Sequence, residues 1–207
     1  MGTRNLTCVV HEGTYKVAKY GQWDGYPDSL GVGILQFLLD GFDKETFIQS
    51  LNKTRFVTDD EVKALWKEAG ADDSGWATMD VSDRFKKTNF ALSRDCGGDD
   101  LLVLIQRGEV DKQTNSLNFA ADGLFCEWCY VIDLDKNTFE VYKGFNKTEL
   151  DSSERFAVLN RVKEEYTPVR HVKTYSLNNL PNEETFLKDT DLSWKDKTDT
   201  YAYPEED

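Results

Sequence analysis

Histidine is nearly missing from this chain of 207 residues, which holds only His11 and His171. Nucleophilic triads built on serine or cysteine need a base, usually histidine. His11 falls in an expected turn and His171 in an expected strand, so such a triad is poorly supported. Cysteine is scarce as well: four residues in a chain this long make no disulfide framework. Cys126-Glu127-Trp128-Cys129 has the spacing of a zinc or redox pair, but zinc needs four ligands and no second pair exists. A redox pair usually opens a helix, whereas Tyr130, Val131 and Ile132 continue a strand. Two buried thiols are expected there, and no metal. The four prolines and fourteen glycines are too few for a fibrous or disordered chain.

Basic runs are missing too, none being longer than Lys86-Lys87, and the net charge is -13 with a pI of about 4.6. Such a surface repels phosphate backbones and anionic lipid, which excludes ordinary nucleic-acid binding and membrane-surface binding. An acidic chain can still dock on a basic protein partner or mimic nucleic acid. No apolar run approaches the roughly 20 residues of a membrane span. The Leu6 to Val10 run is too short for a signal core, so the expected compartment is the cytoplasm. There is no Walker lysine and no dinucleotide fingerprint, so no cofactor is called for. Asp133-Leu134-Asp135-Lys136-Asn137 begins like a calcium loop. Thr138 replaces its central glycine, and Gly144 stands where the bidentate glutamate belongs, so a hairpin turn is expected.

What is present is enough for a core: 39% of the chain is hydrophobic and 13% of the chain is aromatic. Asn5 to His11, the turn Glu12-Gly13 and Thr14 to Trp23 read as a hairpin. Strict alternation puts Tyr15, Val17 and Trp23 on one face of the return strand, and Lys16, Ala18, Tyr20, Gln22 and Asp24 on the other. Asp24-Gly25-Tyr26-Pro27 stops the strand, and Leu30 to Leu39 is apolar almost all round, as in a buried helix. Helices follow at Lys44 to Leu51, after the capping-box pair Thr58 and Glu61, and from Asp80 or Ser82. Arg94 to Asp100 is a second compact polar stretch. Its Gly97-Gly98 pair precedes a short buried helix, Leu101 to Ile105, and reads as a cap more readily than as an anion cradle, because Asp99 and Asp100 occupy the first turn.

The second half is expected to be β-rich, with strands at Leu117 to Ala120, Phe125 to Leu134, Phe139 to Lys143 and Val169 to Leu177, and an amphipathic helix from Ser153 to Tyr166. The fold class is therefore α+β: a mainly antiparallel sheet from two hairpins and a late strand, covered by helices from the middle of the chain. One domain is expected over 1–177. An acidic extension over 178–207 carries nine Asp or Glu against three Lys and either packs on the body, through Trp194, Tyr201 or Tyr203, or trails from it.

The candidate site gathers around the first corner. Tyr20, Gln22, Trp23, Asp24 and Tyr26 place phenols, an amide, an indole and a carboxylate where they can stack on and hydrogen-bond a small polar ligand. They can equally fill and cap a tight turn. Arg4 precedes the first strand, and the hairpin register brings it near Gly21 or Gln22. A guanidinium grip on Asp24 is expected there, with Glu127 nearby and Arg94 joining the ligand-binding set. Glu127, on an apolar strand face, and Asp24 are the candidate catalytic carboxylates. Met1-Gly2-Thr3-Arg4, followed by Trp23-Asp24-Gly25-Tyr26-Pro27 and a glycine-containing helix, resembles a group of small uncharacterised proteins of bacteriophages, bacteria and some fungi. A second patch of likeness spans Phe125 to Gly144. The resemblance implies a phage or mobile-element origin, hence the host cytoplasm, and brings no activity with it. Two functional readings stand. One is a small-ligand pocket, with a hydrolase as its enzymatic form. The other is an acidic interaction or inhibitor module, nucleic-acid mimicry included, without catalysis.

Overall fold

In the computed structural model the first residues form the expected hairpin, β1 (Asn5–His11) and β2 (Thr14–Gly21). The structure describes residues 2–159, 162 and 165–198, the last eight by their backbone alone. Glu12 and Gly13 both have positive φ, 54° and 69°, as a two-residue hairpin turn that matches strand twist requires. Asp135 secures this turn, accepting the backbone N–H groups of Glu12 at 2.9 Å and Gly13 at 2.8 Å. A glutamate is poorly suited to left-handed φ, where asparagine is favoured. Glu12→Asn is therefore expected to stabilise the protein by about 0.5–1 kcal/mol. The check is the urea midpoint; an unchanged or lower midpoint would refute it.

The hairpin register slips once, between Val9↔Val17 and Val10↔Tyr15. This bulge corrects the alternation expected from sequence. An extra residue in one strand reverses the parity of everything beyond it. Tyr15 accordingly packs with Phe156 on one side of the sheet, while Val17 joins the core on the other.

A helix follows the corner, with α1 (Val32–Gln36) flanked by wider π-type turns at Pro27–Gly31 and Phe37–Gly41. Next come α2 (Lys44–Leu51), the short β3 (Arg55–Phe56), α3 (Asp59–Ala69) and α4 (Met79–Asn89). The expected capping box forms: Thr58 Oγ1 accepts from Glu61 N–H, and the Glu61 carboxylate accepts from Thr58 N–H. Then α5 (Gly98–Gln106) and β4 (Lys112–Gln113) lead to the rest of the sheet: β5 (Trp128–Asp133), β6 (Thr138–Lys143) and β7 (Arg170–Ser176). The last helix is α6 (Glu183–Thr198). No helix of the described residues is long and apolar enough to cross a membrane.

The five-stranded sheet has the order β2-β1-β5-β6-β7 and is antiparallel except where β1 meets β5 in parallel. This is an α+β fold. Helices α1, α2, α5 and α6 cover one face, over a core that includes Ile34, Phe47, Leu101, Tyr130, Phe139 and Phe186. Phe186 of α6 is fully buried and stacks on Phe139 at 5.9 Å, so the start of this helix belongs to the body. The opposite face buries Leu6, Cys8, Cys129, Val131 and Phe156.

Two expected elements are corrected here. Leu117–Ala121 is a 3-10 turn rather than a strand; its Ala120 and Ala121 are buried against the sheet instead of extending it. Residues 153–159 run as successive turns rather than an amphipathic helix, held by local bonds such as Ser153 N–H to Asp151 and Ala157 N–H to Glu154 O. Contacts expected from Trp194, Tyr201 and Tyr203 lie outside the described side chains.

Candidate functional site

The corner after β2 is held by its neighbours' polar groups and leaves its own side chains outside. Asn5 donates from Nδ2 to Trp23 O at 3.0 Å, Gly25 N–H donates to Thr3 O at 3.1 Å, and the buried Tyr130 hydroxyl donates to Gly25 O at 2.9 Å. Gly25 lies so close to Asn5 and to Thr3 O that a Cβ there would stand 2.7–2.8 Å from both. The chain thus turns against β1 with no room for a side chain. Trp23 and Tyr26 are consequently about half exposed, at 54% and 49%. Asp24 has φ of 49°, a left-handed conformation that aspartate and asparagine tolerate better than most residues.

The N-terminus of α5 comes to this corner. A Cβ on Gly98 would lie 1.9 Å from the Thr7 hydroxyl, so glycine is what lets α5 dock on β1. The first turn caps itself. Asp100 accepts the Gly97 N–H at 3.2 Å. Burial pushes the Asp99 carboxyl up, against the pull of the first-turn amides; the charge of Asp100 pushes it further up. The anion-cradle alternative is thereby filled by the protein's own carboxylates. The loop before α5 is pinned from the sheet. Lys19, nearly fully buried, donates from Nζ to Ala91 O at 2.9 Å and Ser93 O at 2.8 Å. Burial pulls its pKa down, while the nearby Cys96 works the other way. Asp95 on the same loop is ion-paired with Lys86.

Between corner and helix lies a cleft of about 270 Å³. Its walls include Asn5, Gln22, Trp23, Asp24, Arg94 and Asp99. Asn5 is 1% exposed, and its side-chain carbonyl has no hydrogen-bond partner among the described residues. A Cβ on Gly21, which also lines the cleft, would lie 2.2 Å from that oxygen. Buried polar atoms are nearly always paired, so this carbonyl, closed off against the Gly21 backbone behind the cleft wall, is an exception, as is the Thr7 hydroxyl under α5.

The sequence-predicted residues divide. Gln22, Trp23, Asp24 and Arg94 come together in the cleft. Tyr20 does not: it packs edge-on against Phe119 at 4.9 Å, and its hydroxyl donates to Gln22 Oε1. Tyr26 faces the other side of the corner, in a groove of about 560 Å³ shared with Trp128 and Leu187. The expected Arg4–Asp24 ion pair is not formed among the described residues. The Arg4 guanidinium lies over the Phe125 ring at 4.4 Å, where the cation meets the ring's negative face. Glu127 is near Arg4 but takes the Arg4 backbone N–H at 3.3 Å, and it does not line the cleft. Asn5, Ser29 and Asp99 are lining residues that sequence reasoning passed over as ligand groups. Among the described residues no group of three His, Cys, Asp or Glu is placed to hold a metal ion. The chain matches no protein-family model, no curated protein and no solved structure.

Proposed function

We propose that this protein binds a small polar ligand in the cleft between the Gly21–Asp24 corner and the start of α5. The observation that carries this reading is the cleft itself, which brings Asp24, Arg94, Asp99 and the Trp23 indole together from two distant polar stretches of the chain. Hydrolysis is the enzymatic form of the reading. Asp24 would serve as base toward a water, and Asp99, whose carboxyl burial pushes up, as acid. The resemblance of the opening residues to phage proteins supports a mobile-element setting.

Native mass spectrometry of freshly purified protein tests the reading. A small molecule retained by the wild type and lost in Asp24→Asn is expected. Asparagine keeps the left-handed backbone and removes only the charge, so folding is preserved. Retention of the same molecule by Asp24→Asn and by Asn5→Ala would place binding elsewhere and refute the site.

A second reading, an acidic module for a basic protein partner, is supported by the α3–α4 pair. Helix α3 buries none of its residues, and Trp76, between the two helices, and Met79, the first residue of α4, are 66% and 82% exposed. Its mark would be a partner complex that Trp76→Ala weakens and Asp24→Asn leaves intact.

A further inference from the structure

The cleft carries charge of both signs. Asp95 is neutralised by Lys86, and Asp100 is turned to the Gly97 amide. Asp24 and Asp99 remain as carboxylates among the lining residues. Arg94 is the guanidinium among the lining residues, and none of its hydrogen bonds or ion pairs goes to a described residue. A simple anion meets two carboxylates here. A simple diamine meets Arg94. A neutral polyol can hydrogen-bond to both but brings no opposite charge to either. A molecule with an ammonium at one end and a carboxylate at the other meets every group. Its ammonium supplies three donors to oxygen acceptors, and its carboxylate can take two parallel bonds from a guanidinium. The half-exposed indole of Trp23 offers an apolar face beside them. About 270 Å³ admits a molecule of amino-acid size and little more.

On the reading of this cleft as a ligand site, we propose that it receives a free amino acid or a closely related zwitterion. The ammonium lies toward Asp24 and Asp99, and the carboxylate toward Arg94.

Burial of Asp99 gives the proposal a pH signature. Its carboxyl is pushed up in the free protein, and a neighbouring ammonium favours the ionised form. Binding therefore releases a proton where the pH lies near or below the folded pKa of Asp99, and affinity falls as pH drops through it. The same residue separates binding from stability. Asp99→Asn removes a carboxylate that burial disfavours and keeps an oxygen for the first-turn amides, so the free variant should melt no lower than wild type.

The experiment is calorimetric titration of the whole protein with each of the twenty amino acids, with the decarboxylated amine of any that binds, with glycerol and with inorganic phosphate. Expected is one amino acid bound at one per chain, with its amine weaker by about tenfold or more. Asp24→Asn, Asp99→Asn and Arg94→Ala should each weaken the amino acid to a similar degree, and Arg94→Ala should erase the preference over the amine. An amine bound as tightly as its amino acid overturns the assignment of Arg94. Glycerol or phosphate bound in the cleft and lost in Asp24→Asn overturns the zwitterion while leaving the ligand site standing. A molecule retained in native spectra that is not a zwitterion does the same. Absence of binding by every probe, with nothing retained in native spectra, overturns both the zwitterion and the site.

Discussion

Arg155→Ala should cost about 3–5 kcal/mol at neutral pH, the range for stranding a buried charge without its partner. The guanidinium reaches Asp133 through Nη2 and Glu140 through Nε and Nη2. Asp133 and Glu140 are 1% and 5% exposed, so removing Arg155 leaves two carboxylates in a sheet face with little water to replace it. Burial alone would push Glu140 up. Hydrogen bonds from Arg155, Tyr142 and Thr138 outweigh it and hold this carboxyl below the ordinary glutamate range. A lowered folded pKa gives stability that is present above the unfolded value and lost as pH falls through the folded one. In the variant burial wins and the sign reverses, so protonation relieves the strain. The deficit should therefore be largest near pH 7 and shrink by roughly pH 4. Urea unfolding at the two pH values reads it. A loss below about 1 kcal/mol, as for an exposed ion pair, would mean the network is far wetter than its burial indicates.

Gly98→Ala should be the next most damaging of these changes, at about 3 kcal/mol, the upper end for overpacking a filled interior. The new methyl would stand 1.9 Å from Thr7 Oγ1 and 2.6 Å from Thr7 Cβ, on a fully buried residue of β1. The hydroxyl in the way has no hydrogen-bond partner among the described residues, so little is lost by removing it. Thr7→Ala should thus be tolerated alone and should recover part of the Gly98→Ala deficit. A double-mutant cycle measures the coupling, and strictly additive effects would show that α5 moves away from β1 at little cost. Because this contact forms one wall of the cleft, Gly98→Ala should also weaken ligand binding out of proportion to its stability at low temperature.

The parts of this fold that were legible in the sequence are those written in neighbouring residues. Glu12-Gly13 announces its turn, Thr58 with Glu61 its helix start, and Asp135 to Thr138 the second hairpin, because each depends on bonds spanning a few positions. Alternation along β2 failed at one bulge, which periodicity cannot register. The corner and the Arg94–Asp100 stretch were each visible as polar clusters. Their meeting was not, since it depends on α5 docking against Thr7 from more than ninety positions away. Arg4 was placed by register near the right backbone, but a long side chain chooses among partners, and the Phe125 ring wins over Asp24. Asn5 had one signal only, a residue of low β-propensity opening a strand of β-branched neighbours.

The parallel seam between β1 and β5 joins Asn5 to Trp128 and Val10 to Asp133. A ribosome making this chain releases β1 first and its parallel neighbour β5, the sheet's middle strand, some 120 residues later, about 6–25 s at typical elongation rates. Throughout that interval the first hairpin has one ladder of N–H and C=O groups with nothing to pair to, along an edge that includes Leu6, Cys8 and Val9. Such an edge is a template for other chains, and so distant a closure slows folding. Yield in cells should therefore respond to translation speed and chaperone supply more than the stability of the finished protein would suggest.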